Sequence, residues 1–184
     1  MSTILQPPVQ GSHMKTFSMN IPSLRALQVF LFACLVVPLA ACKKEEAPKE
    51  TVAAPLTAPA GDDIAAWRAY VSDAVTRNMG GVSNQPYVYL LPGESSEGFE
   101  GSYERLAEKA ETDVARGIIA GNMLAYASPA SGRMADIVIA SFKDVPADTM
   151  KGVRVLFIGD AADDPRVKAA VAPAGVDYVF IEAK

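Results

Sequence analysis

Three aspartates near the carboxyl end of the chain have the clearest potential for chemistry. Asp160, Asp163 and Asp164 follow the apolar run 153–158 and precede a stretch that favours a helix. Carboxylates grouped in this way are the ligands that Mg²⁺ prefers. The alternative is structural: Asp164 caps the next helix, and Asp160 and Asp163 are solvated turn residues. The sequence leaves both interpretations open.

The stretch GDAADD, 159–164, resembles the GDxxxD motif of haloacid dehalogenase-like phosphatases. In that family the two motif aspartates, which match Asp160 and Asp164, hold Mg²⁺, and Ser128 matches a serine or threonine at the end of a strand. The family's nucleophile lies in a DxD motif after the first strand, whereas here that strand is followed by PGE. The resemblance therefore implies a magnesium-dependent or phosphate-handling site that lacks the family's nucleophile.

A cysteine on a sharp boundary is the second chemically informative residue. Two early basic residues, Lys15 and Arg25, are followed by the apolar stretch 26–39, small residues and Cys42. This order predicts a signal peptide over 14–41, cleaved between Ala41 and Cys42. The apolar stretch is shorter than the ~20 residues that a membrane-spanning helix needs.

The tetrad LAAC, 39–42, resembles the lipobox of bacterial lipoproteins. In that family the cysteine thiol receives diacylglycerol, the signal is cut before it, and the new amino group is acylated. The resemblance implies a membrane anchor through lipid on Cys42. Lys43 stands where the family's inner-membrane retention signal has an aspartate, which implies the periplasmic face of the outer membrane. The alternative is an ordinary signal peptide that contains a cysteine.

The segments around the predicted signal are not part of a fold. Residues 1–13 include the sequence GSHM ahead of Lys15 and are interpreted as an expression scar or a miscalled start. Residues 42–61 comprise the predicted lipidated cysteine and a Pro/Ala-rich linker, which we expect to be disordered and semi-extended. Residues 62–184 then form a single domain.

The composition of the processed chain excludes several functions. Losing Lys15 and Arg25 leaves 15 basic against 21 acidic residues, a net charge of −6, so no nucleic-acid partner is expected. The only histidine, His13, is removed, and Cys42 is the only cysteine that remains. Histidine-dependent nucleophiles and zinc or copper sites are therefore excluded. We expect no cofactor, with Mg²⁺ as the alternative.

The domain alternates helical and strand patterns. An amphipathic helix, which Asp62 and Asp63 can cap and which carries Trp67 on its apolar face, is followed by apolar strand runs at 87–91, 123–127, 153–158 and 177–181. Helices are predicted between them from Ser102, after a capping Ser131 and after a capping Asp164. The apolar character of the last two strands predicts burial on both faces. This α-then-βαβαβαβ order predicts an α/β, three-layer domain with a four-stranded, mainly parallel sheet. Ligands of such sheets bind beyond the carboxyl ends of the strands. The polar residues predicted there are Ser95, Ser96, Ser128, Ser131, Arg133, Asp160, Asp163 and Asp164.

Together these patterns predict a lipid-anchored periplasmic protein whose domain binds a protein or envelope component without catalysis. The absence of histidine and of a free thiol from the processed chain favours this hypothesis. The alternative hypothesis is a Mg²⁺-dependent hydrolase or phosphate-ligand-handling domain that uses the acidic loop after the third strand.

Overall fold

The computed structural model describes residues 54–184. The predicted signal peptide, Ala41, Cys42 and the first part of the predicted linker lie outside the described residues. Helices and strands alternate as predicted. They are α1 (Ile64–Arg77), β1 (Tyr87–Leu90), α2 (Phe99–Ala115), β2 (Met123–Ala127), α3 (Ser131–Phe142), β3 (Arg154–Gly159), α4 (Asp164–Val171), a short 3₁₀ turn (Ala172–Ala174) and β4 (Asp177–Glu182).

The four strands form one sheet in the order β1-β2-β3-β4, and every neighbouring pair is parallel. Parallel neighbours must be joined by crossovers, and the helices α2, α3 and α4 supply them in turn. The predicted α/β fold with a four-stranded sheet is confirmed, and the sheet is wholly rather than mainly parallel.

The two faces of the sheet are covered unequally. Side chains such as Tyr89 and Tyr126 pack with the crossover helices α2, α3 and α4 on one face. Side chains of the opposite parity, such as Ala125 and Leu156, pack with α1 on the other face. Within the described residues, three helices therefore cover one face and a single helix covers the other.

The two outer strands are more exposed than the two central ones. β2 is wholly buried and β3 nearly so. β4, which the sequence predicted to be buried on both faces, is only partly buried because it lies at an edge. On β1, the other edge, Tyr87 is 38% exposed and Val88 is 47% exposed.

Helix α1 is held to the sheet by its tryptophan. Asp63 caps the helix as predicted, because its carboxylate accepts hydrogen bonds from the Ala65 and Ala66 N–H groups. Trp67 is 3% exposed, as its place on the apolar stripe predicted. Its indole Nε1 donates to the Gly61 carbonyl at 2.8 Å, so the ring is both packed and hydrogen-bonded.

The starts of α2, α3 and α4 differ in detail from those that the sequence predicted. α2 begins at Phe99 rather than Ser102, because Gly98 adopts a left-handed conformation (φ 70°) that reverses the chain early. The loop after β1 is correspondingly shorter than predicted. Ser131 and Asp164 are the first residues of α3 and α4 and do not cap them. Their side chains bond elsewhere, as described below.

The chain contacts the domain before the predicted boundary at Asp62. The Leu56 N–H donates to the Asp73 carboxylate at 3.1 Å, and the Ala58 N–H donates to the Lys184 carbonyl at 3.2 Å. The part of the linker that can extend away from the domain is therefore shorter than its sequence suggested. Among residues 54–184, no helix has the length and apolar character needed to cross a membrane.

We expect Trp67→Ala to lower the free energy of unfolding by about 3–5 kcal/mol, since it removes a buried aromatic side chain from the cluster that packs α1 on the sheet. Trp67→Phe should cost about 1–2 kcal/mol, mainly through the lost hydrogen bond to Gly61. The control Ile119→Ala, at a side chain 74% exposed, should stay within about 0.5 kcal/mol of the parent. Urea unfolding followed by circular dichroism measures all three, and equal midpoints for Trp67→Ala and Ile119→Ala would contradict the assignment.

Candidate functional site

The carboxyl edge of the sheet, where the sequence predicted a site, is closed by its own hydrogen bonds. The Ser131 hydroxyl donates to the Asp163 carboxylate at 2.6 Å and accepts the Asp160 N–H at 2.8 Å. Ser131 is buried at 4% exposure. Gly159 makes this approach possible, because a Cβ there would lie 2.5 Å from the Ser131 Oγ. The start of α3 is thus fastened to the loop after β3.

Arg166 extends this network across three elements. Its guanidinium donates to the Asp163 carboxylate, to the Gly132 carbonyl at 2.8 Å and to the Asp136 carboxylate. The hydrogen bond to Asp136, opposed by burial and reinforced by Asp163, raises the pKa of Arg166. The Asp163 carboxylate therefore already binds both a hydroxyl and a guanidinium, and its oxygens are not free for a metal ion.

The other two aspartates of the acidic loop point to different surroundings. Asp164 accepts a hydrogen bond from the Tyr178 hydroxyl at 2.8 Å, and burial together with this bond raises the pKa of Tyr178. Asp160 is exposed. Within residues 54–184 no group of three or more His, Cys, Asp or Glu side chains is placed to hold a metal ion. This geometry does not favour the magnesium alternative.

The remaining predicted edge residues are also used within the domain. Arg133 stacks on the Tyr103 ring at 3.9 Å from its centroid and donates to Glu100 at 2.8 Å. The Ser128 hydroxyl accepts the Ala130 N–H at 2.8 Å. Ser95 donates to Asp62 and so ties the loop after β1 to the start of α1. Ser96 lies in the same loop, where its N–H donates to the Gly93 carbonyl.

A concavity lies along the outer side of β1, between α1 and α2. We call it the β1 groove, and its volume is about 770 Å³. Its lining runs the whole length of the strand. The lining residues are Ile64, Arg68, Val71, Ser72, Val75, Thr76, Gln85, Pro86, Val88, Leu90, Pro92, Ser102, Arg105, Leu106 and Lys109.

The floor of the groove is an unpaired strand edge. The Leu91 N–H donates to the Ala127 carbonyl of β2 at 3.1 Å. Backbone polar groups of a strand alternate in direction, so the N–H and C=O groups of Val88 and Leu90 point away from β2, into the groove. Pro86 and Pro92 share the parity of these two residues and have no N–H group.

The rim of the groove is basic. Arg68 projects from α1, while Arg105 and Lys109 project from α2, and no Asp or Glu among the described residues lines the groove. Lys109 pairs with Asp113, which also accepts the Tyr89 hydroxyl at 2.9 Å. Burial opposes ionisation of Asp113, but the hydrogen bonds from Lys109 and Tyr89 outweigh it and lower the pKa of Asp113.

Sequence reasoning missed this groove, although parts of the signal were present. Ile64, Arg68, Ser72 and Thr76 recur every four residues and define one helical stripe that mixes apolar and basic character. The prolines that flank the strand at 86 and 92 are typical of an edge strand. Neither pattern says which helix will lie beside that edge.

No protein-family model matches this chain, and neither a curated protein nor a solved structure shows significant similarity to it. A function is therefore inferred from the chain's own residues.

We expect Ser131→Ala to lower the free energy of unfolding by about 1–3 kcal/mol, because it removes the shared partner of the partly buried Asp163 carboxylate and the Asp160 N–H. The control Ser96→Ala, on the loop after β1, should change it by less than about 0.5 kcal/mol. Urea unfolding measures both. A Ser131→Ala variant as stable as Ser96→Ala would show that the network does not hold the edge together.

Proposed function

We propose that this protein is a lipoprotein held by lipid on Cys42 to the periplasmic face of the outer membrane, where its domain binds a protein or other envelope component without catalysing a reaction. The observation that carries the binding role is the β1 groove, about 770 Å³ in volume and open to solvent along an unpaired strand. Grooves of this size with a mainly apolar lining and a few charged groups are typical binding sites.

The chemistry of the domain supports binding more than turnover. Ser131 has a carboxylate partner, but the hydroxyl is buried and its carboxylate is already bound by Arg166. A serine nucleophile needs a general base that can accept its proton and a substrate that can reach the oxygen. The processed chain contains no histidine to act as that base.

The spacing between the predicted anchor and the domain also suits a binding role. Among residues 54–184, Leu56 is the first with a hydrogen bond to the domain, and it lies 14 positions after Cys42. At ~3.1 Å per residue, a Pro-containing segment of that length spans at most about 45 Å. Such a reach would let the domain meet partners within the periplasm while the lipid stays in the membrane.

We expect Cys42→Ser to abolish lipid attachment and release the protein from membranes, since no helix among the described residues offers a second anchor. The matched control is Cys34→Ser, which removes the other cysteine from within the predicted signal and should leave the protein membrane-bound. Labelling with radioactive palmitate and fractionation after a carbonate wash measure both. A Cys42→Ser protein that resists the wash would overturn the lipoprotein assignment.

The binding role predicts that a photoreactive amino acid at Ser72, in the β1 groove, forms a discrete crosslinked adduct in intact cells. The same amino acid at Lys168, on α4 beyond the opposite face of the sheet, should not form that adduct. Arg68→Glu/Arg105→Glu should reduce the Ser72 adduct because it reverses the charge of the rim. An adduct equal at both positions, or none at Ser72, would contradict a binding role for the groove.

A further inference from the structure

We propose that the β1 groove binds an extended acidic segment of a partner protein, which adds to the sheet as a fifth strand beside β1. This inference rests on the proposed function and names the class of partner. It draws on the direction of the edge backbone groups, the prolines that bound them, the apolar walls of the groove and the charge of its rim.

The edge of β1 offers a defined set of hydrogen bonds. Val88 and Leu90 each turn one N–H and one C=O towards the groove, so a strand laid against the edge can form up to four backbone hydrogen bonds. In a sheet, such unpaired groups are the usual point of attachment for an extended peptide. The two C=O acceptors are the part of this set that a peptide without backbone N–H groups can probe.

The flanking prolines limit the length of the added strand. Pro86 and Pro92 have the same parity as Val88 and Leu90 but cannot donate a hydrogen bond. From one proline to the other, the edge spans about 20 Å at ~3.3 Å per residue. The edge therefore accepts a short segment of roughly five residues, and it discourages the open-ended pairing that leads to aggregation.

The walls of the groove favour a strand with apolar side chains on at least one face. Val88, 47% exposed, and Ile64, 37% exposed, are large apolar side chains on the groove surface. Val71 and Val75 of α1 continue this surface on one wall, and Leu106 of α2 lies on the other. Side chains of an added strand alternate between these two walls, because successive residues point to opposite faces of a sheet.

The rim selects an acidic partner. Arg68 and Arg105 flank the groove from opposite walls, both are exposed, and neither forms an ion pair within residues 54–184. Their charge stands out in a chain whose net charge is −4. Guanidinium groups bind carboxylates through paired, charge-assisted hydrogen bonds. Glu or Asp side chains on the added segment would therefore meet two cations that have no carboxylate partner in the described part of the chain.

The same charges disfavour two other occupants. A second copy that paired through its own β1 would bring the two basic rims together, and like charges at close range oppose association. The chain's own segment 43–53 carries three lysines and three glutamates, so it has no net charge for the rim to attract. A separate acidic segment fits the groove better than either.

The experiment uses the full chain in phosphatidylcholine nanodiscs and a fluorescein-labelled heptapeptide of alternating Glu and Val, with binding measured by fluorescence anisotropy. We expect saturable binding, with slower hydrogen exchange at the Val88 and Leu90 amides. A peptide N-methylated at every residue has no backbone N–H to donate to the Val88 and Leu90 carbonyls and should bind at least about tenfold more weakly. A Lys-Val peptide should bind at least about tenfold more weakly because its charge is reversed.

Protein variants localise the binding. Binding of the Glu-Val peptide should be weakened by Arg68→Glu/Arg105→Glu. The milder Arg68→Gln/Arg105→Gln should weaken it less. Lys168→Glu, which alters an exposed cation on α4, should leave affinity unchanged. Circular dichroism of every variant confirms that the fold is retained, and the Gln pair keeps the test valid if the Glu pair unfolds.

Five outcomes would overturn the proposal. If the N-methylated peptide bound as tightly as the parent peptide, the groove would be a charged cleft that does not add a strand. Equal binding of the Lys-Val peptide would remove the acidic preference. If the peptide bound only after deletion of residues 43–53, the groove would be the site of the chain's own linker. If phosphatidylglycerol vesicles bound through the two arginines while the peptide did not bind, the groove would be a lipid site. If no peptide binds while the Ser72 crosslink persists, the partner class is wrong and the binding role stands.

Discussion

The order in which the sheet is built governs the other features of this domain. Consecutive parallel strands added in one direction need crossovers of one hand, and those crossovers place α2, α3 and α4 on the same face. The opposite face is then left to α1 alone. One helix cannot cover four strands, so the concavity beside β1 follows directly from this winding.

The same topology gives the sheet one side where the polar groups are already hydrogen-bonded and another where backbone groups are free to bond. At the carboxyl ends of the strands, Ser131, Asp163 and Arg166 bind one another and fasten the helices to the sheet. These groups satisfy each other, so they contribute rigidity and leave little capacity for a ligand. Along β1 the backbone groups of Val88 and Leu90 remain unpaired within the described chain. The capacity to bind thus lies at the side of the sheet, away from the usual position for this fold class.

Much of the fold was predictable because it depends on local patterns. The apolar runs, the Asp63 cap and the stripe that carries Trp67 each arise from neighbours along the chain, and the structure contains all three. Ser131 and Asp163 were both expected at the carboxyl edge of the sheet, and they are hydrogen-bonded to each other. The sequence did not indicate the other partners of each side chain. Arg166 completes the network by binding Asp136, which lies 30 positions earlier in the chain. No pattern in the sequence links these two residues.

The sequence by itself determined the type and order of the elements, the parallel character of the sheet and the scarcity of catalytic side chains, since these follow from periodicity and composition. Only the tertiary structure decided which strands are edges, which carboxylates are already bound and where a basic rim faces an unpaired backbone. Those features depend on contacts between residues far apart in the chain. Arg68 and Arg105 flank one groove only because α1 and α2 pack on opposite faces of the same edge strand.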